Sequence, residues 1–366
     1  MATRQIGEHE PNHDEHDVSR SIRVAAPRLG WRWLAIGLAC IVLAGLAGVC
    51  LGPVQISPLR VLQELADSIP GIDVSSGLSQ SHAAIVTKIR APRVVLGLLV
   101  GAMLAGAGAS YQGCVPQSLA DPYLLGIASG AGLGATVALV ANLGDGRGFL
   151  DPVPVAAFVG ALGAVALTMT VAFGERRTHS SAHLLLAGVG VASFLTACQT
   201  YWQTRHQDSL QEVFSWILGR LSSATWADVA MLAPYAVVSA VALVLASGYL
   251  DVLAVGEEEA STLGVRPGRV RLVVLLAASL GAAAAVSVSG LIGFVGLVVP
   301  HTVRMLAGTT YRRVVPLSML FGGGFLALTD VLARTVEAPA ELPIGVITAF
   351  LGAPFFMMLL RRSDVV

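Results

Sequence analysis

Long apolar runs, several of them without any charge, constrain this chain more than any other feature. Ten of them, at about 31–51, 92–111, 122–142, 152–173, 183–204, 228–248, 270–289, 291–307, 314–334 and 343–360, approach the roughly 20 residues a helix needs to cross a bilayer. In hydrocarbon every backbone N–H and C=O must be satisfied within protein, so such runs read as spanning helices. The run at 291–307 is short and carries Pro300. Val213–Leu221 is apolar but too short to cross and reads as a re-entrant or interfacial helix. The predicted fold class is an all-α integral membrane protein with about ten transmembrane helices. Composition agrees: 13% of the 366 residues are charged, against about 25% in soluble domains, too few to coat a water-exposed globule.

Cationic residues orient the runs. With the N-terminus inside and the spans alternating, 15 of the 23 Lys and Arg residues fall on the inner side, which places both termini in the cytoplasm. The outer minority is Arg60, Lys88, Arg90, Arg93, Arg147, Arg205, Arg220 and Arg334. Residues 1–29 are polar and mixed in charge, with His9, His13 and His16 among acids. They read as a disordered cytoplasmic tail ahead of a membrane domain at 30–362, with weak metal binding the alternative to a plain solvated extension. Cys40, Cys50, Cys114 and Cys198 have no metal-ligand spacing and read as small apolar residues. Zero net charge gives no reason to expect nucleic acid as a partner.

Small residues at Gly97-x3-Gly101, Gly126-x3-Gly130 and Gly130-x3-Gly134 predict closely packed helices. The stretch from Arg93 resembles the one from Arg271, RVVLGLLVGAMLAGAGAS against RLVVLLAASLGAAAAVSVS. The opposite directions of the two spans would make this an inverted repeat, with chance similarity among small apolar residues as the rival reading.

The chain lacks groups for chemistry of its own. Its one lysine, Lys88, follows Thr87, so there is no Gly-Lys pair for a phosphate-binding loop, and neither HExxH nor GxSxG occurs. No catalytic residue, cofactor site or metal site is expected, and an ATP-driven process would need its nucleotide site on another chain. Asp330 and Arg334, four residues apart, share a helix face as a candidate ion pair. Asp330 and His301 are the candidates for proton coupling, and both fall near span ends. Between two long spans lies VGEEEASTLGV. Gly256 starts it, Glu257, Glu258 and Glu259 complement a helix N-terminus, and Gly264 fits a C-terminal stop. Val255 and Leu263 supply a small apolar side. The segment reads either as an ordinary loop helix or as a docking helix for a partner.

From Gly108 the sequence GASYQGCVPQSLADPYLLGIASGAGLGA resembles the iron-chelate and cobalamin importer permeases, the membrane subunits of type II ABC importers for siderophores, haem and cobalamin. The resemblance continues through HLLLAGVGVASF, FSWILGRLSSATW, VGEEEASTLGV, GLIGFVGLVVPHTVRML and LARTVEAPAELPIGVITAFLGAPFF, in family order over about 88–361. One departure is Val115-Pro-Gln-Ser, where the family carries an Arg-Asn-Pro-type sequence before Leu-Ala.

The resemblance implies ten helices per subunit, a pathway between two copies of the chain or between it and a paralogue, and import of a metal chelate. A ferric siderophore is the first cargo, and cobalamin or haem the alternatives. An ion-gradient-driven transporter is a remote rival. ATP and Mg would sit on cytoplasmic ABC ATPase subunits, and a substrate-binding lipoprotein or periplasmic protein would dock on the outer side of the cell membrane. By resemblance, Gly256, Glu257, Glu258, Ala260, Leu263 and Gly264 belong to the coupling helix that meets the ATPase. Arg90, Arg93 and Arg334 would meet acids of the binding protein, unless Arg334 only pairs with Asp330. Ser180 and Ser181 would line a cytoplasmic gate, and Val213–Arg220 resembles the short helix beside the outer pathway.

Overall fold

The computed structural model of the chain describes residues 30–52, 54, 56–67, 77–115, 120–143, 151–172 and 181–363. These are helical apart from short links, with no strand among them. The tail at 1–29, the departing residues Pro116, Gln117 and Ser118, and Ser180 lie outside the described residues.

The helices, in chain order, are α1 (Trp31–Cys50), α2 (Pro58–Asp67), α3 (Gln80–Ala84), α4 (Ala91–Cys114), α5 (Ile127–Val140), α6 (Pro152–Ala172), α7 (Ser181–Arg205), α8 (Leu210–Ile217), α9 (Trp226–Leu253), α10 (Glu257–Thr262), α11 (Pro267–Ser289), α12 (Val295–Ala307), α13 (Tyr311–Thr335) and α14 (Ile344–Ser363). Seven segments among the described residues are long and apolar enough to cross a membrane, and α5, α12 and α14 are shorter apolar helices. Together they correspond to the ten apolar runs. The extra short helix at 213–221 is α8, with Val213 and Trp216 buried and Phe214 exposed.

α4 is the hub. It packs on α13, α11, α9, α12 and α1, and its sequence explains why. Lipid and Leu are equally apolar, so spanning helices associate through close backbone contact, and α4 is rich in Gly and Ala. A Cβ placed on Gly101 would lie 2.2 Å from the Gly322 carbonyl oxygen of α13. Gly130 of α5 and Gly160 of α6 meet in the same way. Gly126, by contrast, serves as a left-handed cap (φ 81°) before α5. α4 and α11 run antiparallel: Tyr111 near the end of α4 bonds Ser279 at 2.6 Å, while Gly97 near its start faces Leu221, next to Arg220, whose N–H donates to Ser289 at the end of α11. Around this core, α1, α7 and α9 turn Leu, Val and Phe side chains outward, as lipid contact requires.

Two irregularities are handled locally. α3 runs into α4 through a π-helical segment, Ile85–Arg90, which shifts the hydrogen-bond register just before Pro92, a residue with no N–H to give. Between α11 and α12 the backbone leaves the helix at Gly290–Phe294. There the Tyr123 hydroxyl donates to Ile292 C=O at 2.9 Å and accepts from Ile292 N–H at 3.1 Å. Non-helical backbone in an apolar bundle needs such an internal partner.

Candidate functional site

The polar groups gather at the two ends of the bundle and along one face of α7. At one end, α10 stands between α9 and α11. Gly256 is its N-cap at φ 144°, a backbone conformation open to glycine. Three glutamates fill the first turn. The helix closes as a Schellman motif: Gly264 (φ 79°) donates its N–H to Ser261, and Val265 donates to Ala260, satisfying two terminal carbonyls. Ala260 is fully buried, whereas Leu263 is 69% exposed. Glu257 pairs with Arg271 of α11 at 2.6 Å. α10 is thus seated by one small residue, tied to α11 by one acid, and turned outward with Glu258, Glu259 and Leu263.

Near the same end lies a polar cluster the sequence reading did not single out. Gln112, near the end of α4, donates to Gly296 at 3.1 Å and Ala120 at 3.3 Å, accepts from Arg304, and has its own carbonyl bonded by the Tyr311 hydroxyl at 3.0 Å. Asp251 of α9 accepts the N–H groups of Tyr311 at 2.5 Å and Arg312 at 3.3 Å, capping α13 from another helix. The available signal was a glutamine closing an apolar run, since polar groups at that depth demand partners.

At the opposite end the expected arginines come together, but inside the protein. Arg90, Arg93 and Arg334 are 4%, 6% and 3% exposed. Arg93 pairs with Asp330 at 2.9 Å and Glu341 at 2.9 Å. Asp330 also meets Arg334 at 3.4 Å, the pair its four-residue spacing predicted, and Arg334 donates to Gly48 C=O at 2.5 Å. Arg90 donates to Val49, Cys50 and Val54 carbonyls, closing the end of α1. These donors are consumed by carboxylates and helix-end carbonyls, so none of the three is presented in this conformation as a free cationic surface. Glu341 was missed because its partner lies 248 residues away. Lys88 and Arg220 stay exposed at this end.

Along α7, Ser193, Thr196, Thr200, Tyr201 and Thr204 line an open groove of about 740 Å³. Thr200 and Thr204 return their hydroxyl protons to backbone carbonyls of their own helix, which lets hydroxyls face an apolar medium at low cost. Ser181 opens this same helix. Among the described residues no three His, Cys, Asp or Glu side chains come together as a metal site.

Residues 40–362 match the model of the FecCD transport family. The cobalamin import system permease protein BtuC of Halobacterium salinarum is 40% identical over 79% of this chain and 76% of its own length. The Fe(3+) dicitrate transport system permease protein FecC of Escherichia coli is 36% identical over 80% and 90%. An ABC transporter permease of Bacillus subtilis, YvrB, is 38% identical over 94% and 95%. Among solved structures, an inward-facing conformation of a metal-chelate type ABC transporter superposes with TM-score 0.78 at 26% identity, over 90% of this chain and 99% of the other.

Proposed function

This chain belongs to the FecCD transport family and is an ABC transporter permease, and from that premise we propose that it carries a ferric siderophore into the cytoplasm, powered by ATP hydrolysed with Mg on separate ATPase subunits. The observation that carries the reading is α10: a two-turn helix capped at both ends, anchored by Ala260 and by Glu257–Arg271, with acids and an exposed leucine facing away from the bundle. That is the form of a contact for a partner chain, and on this reading the α10 end and both termini face the cytoplasm. ATP binding on the partner would bias the permease between its two facings through this contact.

The opposite end then faces the substrate-binding protein. Arg90, Arg93 and Arg334 give that end its shape from within, and Glu341, Lys88 and Arg220 are among its exposed charged groups. The hydroxyl-lined face of α7 is the proposed wall of the pathway, with a second copy of this chain or a paralogue supplying the other wall, and the cytoplasmic gate is proposed at Ser180 and Ser181 in the sequence that leads into α7. Cobalamin or haem is the alternative cargo, and the similarity to the Halobacterium cobalamin permease favours testing it first. Ion-gradient coupling is disfavoured by the thin supply of ionisable groups at membrane depth: of the two candidates, Asp330 is paired with Arg93 and Arg334, and His301 lies near a span end.

Replacing Glu258 with Lys and Leu263 with Ser together tests the docking role and leaves the Glu257–Arg271 anchor in place. The double variant is expected to lose co-purification with the cognate ATPase while folding normally, and unchanged co-purification would refute the assignment. Thermal-shift titration of the cognate binding protein with ferric siderophores, cobalamin and haem identifies the cargo.

A further inference from the structure

We propose that the Arg312–Arg313 pair at the start of α13, together with the adjoining face of α9, binds the headgroup phosphate of an anionic phospholipid. Four observations converge on this place. Neither arginine has a carboxylate within ion-pair distance among the described residues. The nearby acid, Asp251, is occupied as the cap of α13, accepting the backbone N–H groups of Tyr311 and Arg312. Arg313 keeps a buried Nε without a hydrogen-bond partner. Two cations in a first helical turn also oppose the helix dipole, so the site favours an added anion.

The direction of Arg312 decides which anion. Its guanidinium lies against Gly248 of α9: a Cβ there would sit 2.8 Å from Nε, 2.9 Å from Nη2 and 3.2 Å from Cζ. The side chain therefore runs sideways across a helix that presents exposed Val241, Leu245 and Tyr249. The charge is delivered to the rim of an apolar wall. A free phosphate would meet the arginines and gain nothing from that wall. A phospholipid would place its phosphate on the guanidinium groups, a tyrosine at headgroup level and an acyl chain along Leu245 and Val241, the arrangement expected of a basic lipid pocket between spanning helices. Gly248 is the seat, because any side chain there displaces the guanidinium.

The test uses the full chain in mixed micelles, with phosphatidylglycerol, phosphatidylcholine or inorganic phosphate added and both the melting temperature and the number of retained lipids recorded by native mass spectrometry. Wild-type protein is expected to retain phosphatidylglycerol over phosphatidylcholine and to melt higher with it, while inorganic phosphate has no effect. The R312Q/R313Q variant is expected to bind phosphatidylglycerol about tenfold more weakly. Gly248→Ala, which favours the helix itself, is expected to lose the same preference, and Arg312→Lys to keep part of it. Equal retention of phosphatidylglycerol by wild type and R312Q/R313Q overturns the proposal. So does stabilisation by inorganic phosphate equal to that by the lipid, and so does loss of the effect only when the ATPase is present, which would assign the arginines to that partner.

Discussion

Arg93 holds its end of the bundle together by joining parts of the chain that are far apart in sequence. Its guanidinium meets Asp330 and Glu341 at once, so α4, α13 and the loop before α14 share one charge network. The two carboxylates are not equivalent. Asp330 is buried, whereas the Glu341 side chain is about a third exposed at 34%. Breaking a buried pair leaves an uncompensated charge and costs about 3–5 kcal/mol, while an exposed pair contributes about 0–1 kcal/mol. Arg93→Met and Asp330→Ala are therefore expected to lower unfolding stability in micelles by about 3–5 kcal/mol, and Glu341→Gln by less than about 1 kcal/mol. Equal losses for Asp330→Ala and Glu341→Gln would contradict the burial argument. The Asp330–Arg334 pair was legible because helix spacing is local. The Arg93 contacts were not, since nothing in the sequence near 93 points to 330 or 341, and a count of cations by side puts an arginine at a membrane face without saying whether it turns inward.

The elements were legible wherever their character is apolar, and less so at their polar ends. Hydropathy located all ten runs, yet α9 begins at Trp226, because Thr225 and Asp228 form a capping box in residues an apolar window discards. The second run extends back to Gln80 through the π-helical segment for the same reason. α10 was legible from its caps, and those caps can be tested. Gly264 sits at φ 79°, where a non-glycine residue costs about 1–2 kcal/mol. Gly264→Ala is expected to fray α10 and raise amide hydrogen exchange at Leu263 and Val265, with exchange in α4 unchanged. Unaltered protection would mean that the Schellman turn does not hold the helix. The link Gly290–Phe294 allows a parallel test. Tyr123→Phe removes the group that serves both the N–H and the C=O of Ile292, and a lost partner for buried backbone costs about 1–3 kcal/mol. Its melting temperature should fall, while Tyr235→Phe, on the half-exposed outer side of α9, should leave it unchanged.

As a whole the molecule is a well-packed core with an unfinished side. α4, α11 and α13 are nearly enclosed, whereas α7 leaves its serine and threonine face in an open groove. No sequence pattern announced that face as the proposed pathway, because it would become one only when another chain covers it; enclosure would then belong to the assembly and not to the fold. Two consequences separate this reading from that of a self-contained transporter. The purified chain alone should hydrolyse no ATP, since it has no Gly-Lys pair to hold a phosphate. Covering of α7 can be measured with thiols. In a background freed of Cys40, Cys50, Cys114 and Cys198, a cysteine at Thr200 should react slowly with maleimides in the isolated chain, because a thiol facing hydrocarbon stays protonated and the thiolate is the nucleophile. In the assembled transporter it should be shielded from lipid and should react readily with a water-soluble reagent supplied from the binding-protein side. A cysteine at Leu245, on the outward face of α9, should react equally in both states. If the Thr200 position behaves like the Leu245 position, α7 faces lipid in the assembly and the pathway runs elsewhere; if it switches from lipid to water on assembly, the open groove of one chain is the inner wall of the transporter.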